Sequence, residues 1–246
     1  MIVAAALPGL PEVRAGDDLA ALLAAAAGPL SDGDVLVVAH KVVSKSEGRV
    51  VALDGVRPGE RARALAAEHG RDPRVVEVLL GECGEIVRSR PGVLICRTPH
   101  GFVCANAGVD ASNAAAGELV LLPRDPDASA RALRRRLREL TGARPAVVVS
   151  DSFGRAWRVG QCDVAIGAAG LAPVDDWRGR RDAAGRELTA TVVAVADEAA
   201  AAADLARAKD SREPAVLVRG LEHHVTGDDG PGAAALVRAR REDLFL

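Results

Sequence analysis

Pro145-Ala146-Val147-Val148-Val149-Ser150-Asp151-Ser152-Phe153-Gly154-Arg155 runs from small and β-branched aliphatic residues straight into a serine, an aspartate and a second serine. The apolar run reads as a buried-type strand, and its polar end is where such a strand hands side chains to a site. Working outward toward the N-terminus, Asp127 is a plausible cap for a helix in which Leu133, Leu137 and Leu140 recur at helical spacing and which stops near Gly142. Arginines between Arg131 and Arg138 read as the solvated face of that helix. Residues 119–122 read as a strand, and the β-type runs 93–96 and 102–105 flank the hairpin-turn composition Thr98-Pro99-His100-Gly101. Pro58 and Gly70 bracket a helix, an apolar pattern covers 75–80, and Gly16-Asp17-Asp18 caps a helix over 19–27. Residues 34–44 read as one strand, and a short apolar strand opens the chain.

Toward the C-terminus, 160–171 is rich in glycine and acids, and a charged loop covers 173–185. Residues 189–196 alternate like a strand, 197–209 read as an alanine-dense helix, and 214–219 form a last strand. No internal repeat and no long linker divides the 246 residues. The expected fold is α+β: one domain, 1–246, of two interlocked α/β lobes with mixed sheets.

Hydrophobic residues make up 49% of the chain, enough for a substantial core, whereas the aromatics are three Phe, two Trp and no Tyr. Few rings are available to stack on bases, and a net charge of −2 withholds the field that draws nucleic acid or an anionic membrane. Neither partner is expected. Cys83, Cys96, Cys104 and Cys162 show no C-x-x-C spacing and read as reduced, mostly buried thiols. The N-terminus lacks a basic region, Pro8 and Pro11 interrupt its apolar run, and nothing approaches the roughly 20 apolar residues of a membrane span. A cytoplasmic location is expected.

Of 32 basic residues only Lys41, Lys45 and Lys209 are lysine, and two of them share the segment His40-Lys41-Val42-Val43-Ser44-Lys45. An ammonium is a compact charge on a flexible stem that can follow a phosphate where a planar guanidinium does not fit. Chance placement on a surface is the competing reading. The phosphate loop G-x-x-x-x-G-K-[ST], H-E-x-x-H, G-x-S-x-G and G-x-G-x-x-G are all absent, which disfavours the ordinary nucleotide and hydrolase folds. What remains is Asp110 with Ser112 and Asn113, and Asp151 with Ser152. Magnesium and manganese take a few such oxygens and complete their octahedron with water and substrate phosphate. Asp, Ser and Asn also serve simply as turn caps, so both readings are open. His40 reads as a structural hydrogen-bonder or a phosphate donor, His223-His224 reads as loop, and Asp175-Asp176 and Asp228-Asp229-Gly230 read as turns, with metal binding as the alternative.

In order along the chain, His40-Lys41-Val42-Val43-Ser44-Lys45-Ser46-Glu47-Gly48-Arg49, Gly101-Phe102-Val103-Cys104-Ala105-Asn106-Ala107-Gly108-Val109-Asp110-Ala111-Ser112-Asn113, Leu121-Leu122-Pro123-Arg124-Asp125-Pro126-Asp127-Ala128-Ser129-Ala130 and Ser150-Asp151-Ser152-Phe153-Gly154-Arg155-Ala156-Trp157-Arg158 resemble the F420-0 gamma-glutamyl ligase family. Gly160-Gln161-Cys162-Asp163-Val164-Ala165-Ile166-Gly167 and Ala196-Asp197-Glu198 extend the resemblance over nearly the whole chain. It implies a GTP-dependent amide ligase that joins L-glutamate to the lactyl carboxylate of the deazaflavin precursor F420-0. It also implies a homodimer, a divalent metal (Mn2+ or Mg2+), and K+ as an optional further ion. By position, Asp110 and Asp151 would hold one metal and Ser152 would help hold a second. Gly9, Leu10, Pro11, Glu12, His40, Lys41, Lys45, Asn113 and Lys209 would lie on GTP, with Lys41 and Lys45 offsetting charge during transfer.

Two departures stand out: His40 replaces a small hydroxyl residue, and Leu205-Ala206-Arg207-Ala208-Lys209 replaces a segment with glycine before its last residue. Some members continue into a nitroreductase-like domain; with the last residue here Leu246, that activity is not expected. Arg155 and Arg158 are candidates for the glutamate carboxylates by residue type, with structural salt bridges as the alternative. A metal-dependent phosphohydrolase and a non-catalytic nucleotide-binding regulatory module are the competing functions.

Overall fold

A computed structural model describes residues 1–244, so Phe245 and Leu246 of the expected 1–246 domain lie outside the described residues. In chain order the elements are β1 (Val3–Ala6), α1 (Leu19–Ala27), β2 (Val35–Ala39), α2 (His40–Ser46), β3 (Val50–Ala52), α3 (Glu60–His69), α4 (Pro73–Glu82), β4 (Glu85–Arg90), β5 (Val93–Arg97), β6 (Val103–Ala105), β7 (Glu118–Val120), α5 (Pro126–Thr141), β8 (Ala146–Arg155), β9 (Arg158–Ala169), β10 (Asp175–Asp176), β11 (Val192–Val193), α6 (Val195–Ala206) and β12 (Ala215–Arg219). Helices and mixed sheets bear out the α+β expectation.

The largest sheet has the order β1-β12-β2-β8-β9. Its pairs are antiparallel except β2 with β8, which run parallel. Apolar residues bury both faces of this sheet. Leu36, Val38, Val147 and Val149 face one core with Leu23, Leu133 and Leu137, while Val35, Val37, Ala146 and Val148 face a second with Ala196, Ala200 and Ala203 of α6. A separate three-stranded sheet, β4-β5-β6, carries the expected hairpin.

Several expectations change. Residues 34–44 are not one strand: β2 ends at Ala39 and α2 starts at His40, so both lysines of that segment stand on a helix. A short apolar run fits either period, and no capping side chain marks this junction. The glycine-rich stretch 160–171 is largely β9, a twelve-residue strand. Only Val192–Val193 of the expected 189–196 strand is one, because Val195 already opens α6.

Helix α5 is capped by Asp125, whose side chain accepts from Ala128 N at 2.8 Å, not by Asp127. Asp127 instead accepts from Ala168 N of the edge strand β9 at 2.8 Å and from Ala233 N at 2.7 Å. Arg134 does not belong to a solvated face. It is buried and donates to Pro145 O, Thr226 O, Asp228 O and Asp229 Oδ1.

Candidate active site

The parallel pairing of β2 with β8 sets the site. Ala39 stands opposite Ser150 in the last pair of this register, so the next residues, His40 at the start of α2 and Asp151 still within β8, lie side by side. His40 Nε2 lies 3.3 Å from Asp151 Oδ1, and both side chains are enclosed. The other ring nitrogen, His40 Nδ1, meets Ser44 Oγ one turn along α2 at 3.5 Å.

With α2 starting at His40, Lys41 projects from its first turn and donates to Asp110 Oδ2 at 2.8 Å. Asp110 reaches this point because its backbone bridges Val120 in both directions, at 3.0 and 2.8 Å, beside β7. Its carboxylate also accepts Ser112 N at 2.7 Å and Ser112 Oγ at 2.8 Å, so turn-capping and lysine pairing coexist on one side chain. One helical turn beyond Lys41, Lys45 pairs with Glu12. That contact ties the turn after β1 to α2. In this turn Gly9 takes φ +81°, and Leu10 packs on the sheet's first core. Asn113 is exposed, with φ 55°, three residues after Asp110.

Burial pushes the Asp151 carboxyl up, but the adjacent His40 ring, the charge of Lys41 and the Ser152 N–H outweigh it, leaving the group below its ordinary value. Asp110 behaves likewise: burial raises it, while the Lys41 and Ser112 contacts bring it down. Both acids are therefore anionic at neutral pH, and Lys41 acts on both.

The donor set offers a divalent cation few protein oxygens. Among the described residues no cluster of three or more His, Cys, Asp or Glu forms a cage. Asp110 and Asp151 come from separate elements and share Lys41 as neighbour, an arrangement that suits a hard cation completing its shell with water and phosphate. The Asp110 side chain is 39% exposed, against 13% for Asp151.

On the other face of β8, Ser152 stands opposite Asp163 of β9. Ser152 Oγ donates to Asp163 Oδ1 at 2.6 Å and receives Lys209 Nζ at 2.5 Å. All three lysines thus end on members of the expected set: Lys41 on Asp110, Lys45 on Glu12 and Lys209 on Ser152. Arg155 and Arg158 face each other at the tip of the β8–β9 hairpin, where Arg155 Nη2 donates to Val159 O at 2.9 Å.

Asp163 and Arg207 were not singled out by sequence reasoning. Their signal was weak: Asp163 is a lone acid among glycine, alanine and valine, and two register shifts in the β8–β9 hairpin defeat counting outward from the turn.

Fold and site together define a mixed α/β protein that gathers carboxylates, lysines and hydroxyls where the parallel pairing of β2 with β8 ends, an arrangement suited to a charged small molecule. Comparison supplies the family. The F420-0:Gamma-glutamyl ligase family model matches residues 9–220. Over 236 residues the chain is 50% identical to the coenzyme F420:L-glutamate ligase of Methanopyrus kandleri, covering 95% of this chain and 93% of that protein. It is 46% identical to the enzyme of that name from Methanothermobacter thermautotrophicus over 96% of both chains, and 44% to that of Archaeoglobus fulgidus over 96% of this chain and 93% of the relative. The chain belongs to the F420-0:gamma-glutamyl ligase family, which serves coenzyme F420 biosynthesis. Among the described residues no helix is long and apolar enough to cross a membrane.

Proposed function

We propose that the protein is a GTP-dependent ligase that forms an amide between L-glutamate and the lactyl carboxylate of F420-0. Supporting this reading, beside family membership, is one observation: Asp110 and Asp151, carried by different elements, converge on Lys41 at the end of the parallel strand pair.

A carboxylate and an amine do not condense directly, because the oxygen to be expelled is a poor leaving group. In the proposed route the lactyl carboxylate attacks the γ-phosphorus of GTP, the bond to the β-phosphate oxygen breaks, and GDP leaves. The glutamate nitrogen then attacks the acyl carbon, loses its proton and expels inorganic phosphate. Lys41 and Lys45 offset the charge that moves toward GDP, and the turn holding Gly9, Leu10, Pro11 and Glu12, with His40, Asn113 and Lys209, binds the nucleotide. One divalent metal (Mn2+ or Mg2+), held by Asp110 and Asp151, and a second that Ser152 would help hold, would neutralise phosphate oxygens. K+ is an optional addition. Arg155 and Arg158 are proposed for the glutamate carboxylates. The protein is proposed to act as a homodimer, its single domain folded as two intertwined lobes.

Incubation of F420-0 with protein, GTP, L-glutamate and manganese tests this by mass spectrometry. The product gains one glutamyl residue, or several if addition repeats, with GDP formed in step. Rapid GTP hydrolysis without acceptors would instead indicate a phosphohydrolase, and GTP binding with no turnover under varied metals a regulatory module.

A further inference from the structure

Asp163 has none of the roles given above, yet it is the most enclosed acid near the site, at 1% exposure. Its oxygens are fully engaged. Oδ1 accepts Ser152 Oγ at 2.6 Å, and Oδ2 accepts Ser150 Oγ at 2.9 Å and Arg207 Nη2 at 2.5 Å. Arg207, itself 10% exposed, also donates to Pro214 O at 2.9 Å and to Ser150 Oγ at 3.2 Å. A buried carboxylate needs such a matched cation, and the pair is held at each end by further hydrogen bonds.

The chemistry of this network is directional. A carboxylate only accepts, so Ser150 and Ser152 each point their single proton at Asp163. Ser152 Oγ is left with lone pairs alone for other partners: one receives Lys209 Nζ at 2.5 Å, and one remains for a ligand. Arg207 and Lys209 are two residues apart, so anchoring Arg207 on Asp163 also sets where Lys209 emerges. Lys209 Nζ lies 3.8 Å from Asp163 Oδ1, with Asp204 Oδ1 at 3.2 Å on its other side.

We propose that Asp163 is a positioning residue: it fixes the Ser152 hydroxyl as an acceptor and, through Arg207, docks the 207–209 segment so that Lys209 reaches Ser152. This rests on the proposed reading of Ser152 and Lys209 as ligand-facing groups.

The scarcity of lysine allows a direct test. Reductive methylation with 13C-formaldehyde labels Lys41, Lys45, Lys209 and the terminal amine, and single Lys→Arg substitutions assign the signals. In Asp163→Asn the Lys209 resonance shifts while those of Lys41 and Lys45 stay in place. The double variant Asp163→Asn/Arg207→Met removes the stranded guanidinium. It recovers most of the melting temperature but leaves the Lys209 signal displaced, and it binds a non-hydrolysable GTP analogue with Mn2+ at least tenfold more weakly by calorimetry. Adding Lys209→Met to the double variant costs less than a further twofold. An unmoved Lys209 resonance in Asp163→Asn, or full affinity in the double variant, overturns the proposal. If the wild-type protein binds no GTP analogue, the GTP reading fails on its own, and the resonance comparison still decides the role of Asp163.

Discussion

Asp151 and Asp110 are anions because their neighbours make them so, and the sign of the resulting pH dependence follows. Each has a folded-state pKa below its ordinary value, so its stabilising contribution is present above the unfolded value near about 3.9 and is lost as pH falls through the folded one. Lys41→Met withdraws positive charge from both carboxyls, and both pKa values rise. The acid-unfolding midpoint followed by circular dichroism then moves to higher pH; an unchanged or lower midpoint contradicts the pairing. Near neutral pH the same change costs only about 0.5–1 kcal/mol, since the Lys41–Asp110 pair is partly solvated. Its effect on ligation is larger, about a hundredfold in kcat/KM if Lys41 meets charge developing in the transition state. Lys41→Arg keeps the charge and alters the shape, so unchanged GTP affinity and turnover in that variant would assign the lysine preference to chance.

At the scale of elements, α5 shows that residues of one type on one helix do different things. Arg134 satisfies three backbone carbonyls and Asp229, whereas Arg135 is exposed. Arg134→Leu is expected to cost about 3 kcal/mol by denaturant titration, and Arg135→Ala less than about 0.5 kcal/mol. Loss of the cap in Asp125→Ala costs about 1 kcal/mol, read as a melting-temperature drop of about 2–4 °C for a chain of this size. Gly167 lets the start of α5 press on β9: a Cβ there would stand 2.2 Å from Pro126 O. Gly167→Ala therefore forces backbone apart and costs about 1–3 kcal/mol or more in the same titration.

Much of this element scale was legible in sequence. Asp18 before α1, Gly70 and Gly142 after their helices, and the 93–105 hairpin all follow from local chemistry. The start of α2 was not, because Val35 to Ser44 has no breaker where strand becomes helix. Arg134 was misread because its neighbours in sequence are arginines, while its partners lie some ninety residues away at Thr226, Asp228 and Asp229. The acids and lysines of the site stood out through residue type and family resemblance, but the juxtaposition of His40 with Asp151 came from the β2–β8 register and that of Lys41 with Asp110 from the Asp110–Val120 bridge, which no local pattern encodes.

Across the whole molecule, burial also governs the thiols. Burial pushes Cys96 up to about 12, with Cys83 adding to the shift, and pushes Cys104 up to about 12, with the Asp151 charge adding to it. Both are buried, while Cys83 and Cys162 are partly exposed. At pH 8 a thiol reagent should modify Cys83 and Cys162 in the folded protein and reach Cys96 and Cys104 only on denaturation. Mass mapping of the labelled peptides checks this, and rapid native labelling of Cys104 would contradict it.

The alternation of β8 has a mechanical consequence. Asp151 turns toward α2 and Ser152 toward the segment after α6, so a ligand touching both would straddle one strand and brace the layers on either side of the sheet. Such a ligand acts as a rivet. Its grip would show as slowed amide exchange in α2 and in the 207–209 segment together, two regions far apart in sequence that lie on either side of that strand.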